Sequence, residues 1–356
     1  MKKSKLNSET IKQVDKSDML SLLLDFPAQC RYASLIAGKA KILFEERNFS
    51  KIVFAGLGGS AIGADLVRSY LYFACKVPIL VFREYELPAY VDSSSLVFLS
   101  SYSGNTEETL SAYNSAKEKG AHLIAISSGG ALLERALSDN VTFIEIPQGL
   151  PPRCALGYLS LIPLCILAEL GLVEDVGPSI SQMVKVLEDL RNKSLNPRIA
   201  QKDNVAKSVA RKLFNKFVVT YSSSVHFDIC ATRFRGQLAE NAKVLGSSHL
   251  FPEMNHNEIV GWQNPQKLFK DFVVVMLRDK EMHPRVAKRM SITENILNKE
   301  DVDLIEIWSR GEDLLSRIFS LIYIGDFISY YLAIFYGIDP TPVERVTYLK
   351  KELAKA

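Results

Sequence analysis

The sequence predicts an α/β protein in which parallel sheets are flanked by helices, with that arrangement occurring twice along the chain. Three observations carry the prediction. From Lys51 to Pro147, short apolar runs rich in Val, Ile and Phe alternate with amphipathic stretches. Most of these runs lack strict apolar–polar alternation, which is how strands covered on both faces read. A second series of strand-like runs, again separated by helical patterns, begins at Phe217.

Taken in order, residues 1–45 read as a helical lead-in. Its opening, MKKSKLNSETIKQ, is polar, and the MLSLLL that follows stops at Asp25, too short for a secretory segment. Residues 46–153 form the first domain, with strands at 51–57, 78–84, 95–101, 122–127 and 141–147 and helices at 61–74, 106–119 and 131–138. Residues 154–194 are a helical connection, part of a mostly helical stretch to 215 that breaks near Ser194–Pro197. Residues 195–356 form the second domain, with strands at 217–223, 271–278 and 303–309 and helices at 228–244, 284–298, 310–336 and 341–355. Two apolar runs, 154–173 and 314–337, have the length of a bilayer span. The first contains Pro163 and Glu169, the second Arg317 and Asp326, so both are read as buried helices and no membrane partner is expected.

Composition narrows the function classes. A chain of 356 residues that is 47% hydrophobic and 23% charged has ample apolar surface for two cores and is not disordered. A net charge of +3 gives no support for a nucleic-acid partner. The cysteines, at positions 30, 75, 154, 165 and 230, are scattered without a CxxC, which points to a reducing, cytoplasmic setting. The five histidines form no HxxxH or HExxH, so no metal is expected, and no GxSxG marks a serine hydrolase.

Two strand-to-helix turns carry the chemistry. Gly56-Leu57-Gly58-Gly59-Ser60-Ala61-Ile62-Gly63 lets the backbone turn tightly and bares N–H groups at a helix start. It also satisfies the dinucleotide pattern through Gly56, Gly58 and Ala61, with Glu84 and Glu86 near the end of the next strand, so a nicotinamide-dependent oxidoreductase is a rival. The second turn, Ser101-Tyr102-Ser103-Gly104-Asn105-Thr106-Glu107-Glu108-Thr109, favours another ligand. Hydroxyls packed around a glycine at a helix N-terminus form a neutral, donor-rich cradle for a phosphomonoester. Thr106 also suits the N-cap of the following helix, a role compatible with phosphate binding.

GLGGSAIG followed by SYSGNTEET resembles the sugar isomerase (SIS) domain, and two such units in one chain resemble the bifunctional phosphoglucose/phosphomannose isomerase family. The resemblance extends to DKSDMLSLLLDFPAQ (15–29), PPR (151–153), QLAENAK (237–243) and NHNE (255–258). It implies two SIS-type domains and an aldose–ketose isomerase of glucose 6-phosphate and fructose 6-phosphate, also of mannose 6-phosphate, that needs no cofactor. It implies that Gly59, Ser60, Ser101, Ser103 and Thr106 bind the sugar phosphate. Around the sugar it places Arg153, Glu240, His256 and a C-terminal lysine, best matched by Lys350 with Lys351 adjacent. The family's tail threonine corresponds to Thr341 or Thr347. A homodimer is implied, with His256 supplied across the interface. The alternative within the same resemblance is a non-catalytic SIS regulator that binds a sugar phosphate.

The residue types suit the reaction. Glu240 sits in a helical stretch where Ile229, Phe234, Leu238 and Leu245 suggest a partly buried helix, and desolvation there would suit a carboxylate to act as base. Arg153 follows two prolines and offers a fixed cation for enediolate oxygens. His256 lies in the loop-like PEMNHNEIVGW and can move protons at neutral pH for ring opening, with Lys350 beside it in that role. His226 and His249 have no motif and are read as structural.

Overall fold

The structure, a computed structural model, describes residues 6–300, 302–353 and 355. The chain forms two compact units. The first comprises Asp25–Lys185 with Asp313–Ser316; the second comprises the chain up to Leu24, Val186–Glu312 and the chain from Arg317 onward. The N-terminal helices are α1 (Ser8–Val14) and α2 (Met19–Ala37).

The first unit continues through β1 (Lys51–Ala55), α3 (Gly59–Tyr70), β2 (Ile79–Phe82), β3 (Ser95–Ser100), α4 (Glu107–Glu118), β4 (His122–Ser127), α5 (Gly130–Ser138) and β5 (Thr142–Glu145). A 3-10 turn at Pro152–Cys154 leads to α6 (Leu156–Glu169), and α7 (Gly177–Leu190) follows. The five strands are parallel in the order β2-β1-β3-β4-β5. The continuous apolar run SLVFLS becomes β3, buried at every residue because helices cover both faces. On one face Val53, Val97 and Ala125 pack with Tyr113 and Leu132 from α4 and α5. On the other, Phe54 and Phe98 stack with ring centroids 4.7 Å apart. Helix α6 is apolar nearly all round and buried accordingly. It lies backbone to backbone against α3, since a Cβ on Gly63 would come within 2.5 Å of the Leu159 carbonyl oxygen. Pro163, which has no N–H, removes the helical donor for that same carbonyl.

The second unit contains α8 (Val205–Leu213), β6 (Phe217–Ser223), α9 (Asp228–Asn241), β7 (Gly246–Phe251), β8 (Phe272–Arg278), α10 (Pro284–Lys299), β9 (Asp303–Trp308), α11 (Leu314–Tyr336, from Arg317 on) and α12 (Glu344–Leu353). Its sheet is parallel in the order β7-β6-β8-β9. That is the order of the first four strands of the other sheet, so the architecture is repeated without a sequence repeat. Strand β7, GSSHLF, is absent from the sequence reading. It is an edge strand, half-buried at all but its last residue, and so can carry Gly, Ser and His where an interior strand would not.

Among the described residues, α11 is the one helix long and apolar enough to cross a membrane, and its most apolar stretch is wholly buried inside the structure. The two charges within it have partners: Arg317 lies 2.9 Å from Asp279, and Asp326 lies 2.8 Å from Arg233.

Candidate active site

In the first unit, β1 and β3 are adjacent while their neighbours lie on opposite sides, so the crevice beyond their C-terminal ends is a topological switch point. Both turns singled out in the sequence emerge there. Gly56 lies so close to β3 that a Cβ would meet the Ser100 carbonyl oxygen at 2.6 Å. Gly58 takes φ +54°, which turns the chain into α3. Buried Ser60 accepts a hydrogen bond at 3.3 Å from the Tyr102 N–H, tying one turn to the other.

The second turn is folded around its own hydroxyls. The Ser101 and Thr106 hydroxyls are 2.8 Å apart, and Ser101 Oγ also accepts from the Gly104 N–H at 3.1 Å. Thr106 stands at the N-cap of α4, yet its side chain makes no capping bond, because it is held by Ser101 instead. Gly58 likewise gives α3 no side-chain cap. Two helix N-termini therefore meet the crevice without competing caps, and each favours an anion. Ser103 is exposed at the tip, where its Oγ accepts from the Asn105 N–H at 3.3 Å.

Gly59, in the same turn, lets the Arg153 segment come close. A Cβ on Gly59 would meet the Pro152 carbonyl oxygen at 2.6 Å and the Arg153 nitrogen at 3.2 Å, so the PPR segment rests on the first residue of α3. Arg153 is only 4% exposed, not a solvent-facing loop residue. The PPR segment thus brings a buried arginine to the start of α3, next to the glycine turn.

In the second unit, Glu240 is half-buried in the last turn of α9 and lines a cavity of about 640 Å³. Lys243, Asp339, Glu344 and Arg345 line it too, with Val244, Leu245 and Pro342 as apolar wall. Lys243 donates from Nζ to the Glu240 carbonyl oxygen, closing the end of the helix. His256 ends a 3-10 turn, Glu253–His256, and is exposed. Lys350 and Lys351 are exposed on α12, which buries no residue. Neither His256 nor Lys350 is among the residues lining the Glu240 cavity. Thr341 donates from its N–H to Asp339 at 3.1 Å, while Thr347 lies exposed on α12.

Residues 202–353 match the family described as the bacterial phospho-glucose isomerase C-terminal SIS domain. The bifunctional phosphoglucose/phosphomannose isomerase of Caldicellulosiruptor bescii is 46% identical over 338 residues, covering 95% of this chain and 99% of that protein. This chain belongs to the bifunctional phosphoglucose/phosphomannose isomerase family. The family's Aquifex aeolicus protein is 36% identical over 86% of this chain and 91% of its own length. The fold is shared with the crystal structure of a glucose-6-phosphate isomerase like protein from Thermus thermophilus, at TM-score 0.64 and 19% identity over 97% of this chain and 98% of that one.

In this member of the phosphoglucose/phosphomannose isomerase family, several site-building residues are not apparent from sequence. Tyr102 stands out there only as part of its loop. Its hydroxyl donates to the Pro147 carbonyl at 2.9 Å and accepts from the Leu150 N–H at 2.8 Å, anchoring the approach to Arg153. Burial pushes this phenol up, so it stays neutral in both bonds. A third turn, Ser127-Ser128-Gly129-Gly130, packs under the second. Ser128 donates from both N and Oγ to the Tyr102 carbonyl, at 3.1 and 2.7 Å. Its SSGG composition directly after a strand was the available signal.

Proposed function

We propose that this chain interconverts glucose 6-phosphate and mannose 6-phosphate with fructose 6-phosphate through a shared enediolate. Removing the C2 proton makes that carbon planar, so both aldose epimers lead to one intermediate. Glu240 takes the C2 proton of the open-chain aldose and returns it to C1, while the hydroxyl proton passes from O2 to O1. Gly59, Ser60, Ser101, Ser103 and Thr106 hold the phosphate. Arg153 stabilises the enediolate oxygens. His256 and Lys350 exchange the ring-oxygen and O1 protons that open the pyranose.

The observation that carries this reading is the hydroxyl-lined pair of turns at two uncapped helix starts. Family membership makes the bound group the phosphate of a sugar, and catalysis the better reading than sensing. Phosphate binding supplies energy that positions C1 and C2.

We place the protein in the cytoplasm as a homodimer in which His256 serves the partner subunit's site. Its exposure on the surface of its own chain supports that assignment. The five free cysteines support a reducing compartment.

Glu240→Gln tests the mechanism, with glucose and mannose products from fructose 6-phosphate read separately. We expect kcat to fall roughly 10²–10⁴-fold for both products with KM within about threefold. Turnover at the wild-type rate overturns the assignment.

A further inference from the structure

We propose that the buried Arg233–Asp326 ion pair is a positioning device that sets the rotation of α9 and thereby aims Glu240. The proposal rests on Glu240 being the base. Both partners are 5% exposed in their side chains, and they meet in a two-pronged contact: Arg233 Nε donates to Asp326 Oδ1 at 3.0 Å, and Nη2 donates to Oδ2 at 2.8 Å. Gln237, one turn further along α9, donates to Asp326 Oδ1 at 2.9 Å. One turn further again, Asn241 donates to Ser329 Oγ at 3.0 Å, and Ser329 Oγ donates to the Asp326 carbonyl at 2.7 Å. Arg233, Gln237 and Asn241 are spaced i, i+4, i+8, so one stripe of α9 is latched to one stripe of α11. Between the latches the helices close tightly, because a Cβ on Gly325 would come within 3.0 Å of the Phe234 ring.

Glu240 sits beside this stripe. It follows Gln237 by three residues and precedes Asn241 by one, which puts it roughly 60° around the helix from Gln237. A carboxylate at that position lies about 6 Å from the helix axis, so a 10° rotation of α9 displaces it by about 1 Å. A misplacement of that size costs roughly 100-fold in a proton transfer that depends on near-attack geometry. Apolar contacts alone tolerate small rotations, whereas a planar guanidinium bonded to both carboxylate oxygens does not. A buried ion pair adds little stability over well-packed apolar residues. What it adds here is a direction for the helix that carries the base.

The test uses the full-length protein. Asp326→Asn leaves a buried guanidinium without its counter-charge and can unfold the chain, so the decisive variant is R233M combined with D326L. We expect it to melt below wild type, because the buried Gln237 amide loses its Asp326 acceptor, yet to stay folded at the assay temperature and to keep KM for fructose 6-phosphate within about twofold. Its kcat should fall at least tenfold, with a primary deuterium isotope effect on C1-labelled substrate no smaller than in wild type. Arg233→Lys, which retains one prong, should recover part of kcat. If the double variant melts below the assay temperature, S329A with N241L removes the next latch without stranding a charge, and kcat should drop several-fold at unchanged KM. A folded variant of either kind with wild-type kcat overturns the positioning role. Wild-type turnover by Glu240→Gln overturns instead the assignment of the base on which it rests.

Discussion

The N–H of Tyr102 donates to the Oγ of Ser60 across 3.3 Å, joining two turns 42 residues apart in sequence. One bond thus spans the bare glycine turn and the hydroxyl turn, while Ser101 and Thr106 pair with each other inside the second.

Thr106→Val should weaken substrate binding with little loss of turnover. The change keeps the shape but removes the hydroxyl that stands 2.8 Å from Ser101 Oγ. A hydrogen bond to a charged group is worth about 1.5–3 kcal/mol. Steady-state kinetics should show KM rising at least about tenfold with kcat within about threefold. A fall in kcat at constant KM would show that the residue acts on the reacting carbons instead.

Gly104→Ala and Gly58→Ala should differ in kind. Gly104 has φ +70°, and a Cβ there would sit 1.8 Å from the Gly129 carbonyl oxygen, a backbone atom that cannot step aside. We expect a loss of at least about 3 kcal/mol in urea titrations, with phosphate binding abolished. Gly58 has φ +54° with nothing within 4 Å of the added carbon. Only its backbone conformation resists, at about 1–3 kcal/mol. Equal losses would contradict the packing described for the second turn.

Mixing inactive variants should restore activity if His256 crosses to the partner subunit. Glu240→Gln homodimers and His256→Ala homodimers each lack a complete site. After subunit exchange, each mixed dimer pairs the wild-type Glu240 of one chain with the wild-type His256 of the other at one of its two sites. About a quarter of wild-type activity is expected at equal concentrations. No recovery in a mixture shown by mass spectrometry to have exchanged would place His256 in its own chain's site.

Asp139 should make the acid side of the stability curve steeper. Hydrogen bonds from Lys117, at 2.6 Å, and from the Tyr113 hydroxyl, at 2.9 Å, hold this carboxyl below the usual carboxylate range. A depressed pKa in the folded state stabilises above the unfolded value, about pH 4, and that contribution disappears as pH falls through the lower folded value. Urea midpoints of wild type and Asp139→Asn should therefore differ at pH 6, with the gap narrowing as pH falls below about 4. A gap that stays constant with pH would remove the charge from the explanation.

The strands and turns legible in the sequence are those with strong local signals. β3 and β8 are uninterrupted apolar runs, and the glycines at 56, 58 and 104 mark positions that a Cβ would block or strain. β7 was not legible, because an edge strand has one partner and little burial to constrain its residues. Thr106 matched an N-cap, but its partner proved to be Ser101, a choice made by the fold of the loop and not by helix position. Asp326 appeared only as a charge inside an apolar run. Its partner Arg233 lies 93 residues away, beyond the reach of any periodicity.

Period, turn chemistry and residue type along the chain were enough to mark two parallel sheets and a pair of glycine- and hydroxyl-rich turns, since each depends on interactions within a few residues. Which side chains became buried, latched or exposed was settled by folding alone. Arg153 went into the interior, Asp326 was matched to Arg233, and His256 stayed at the surface. Such pairings join residues distant in the chain, and a buried charge is stable only where a counter-charge arrives from elsewhere in the fold.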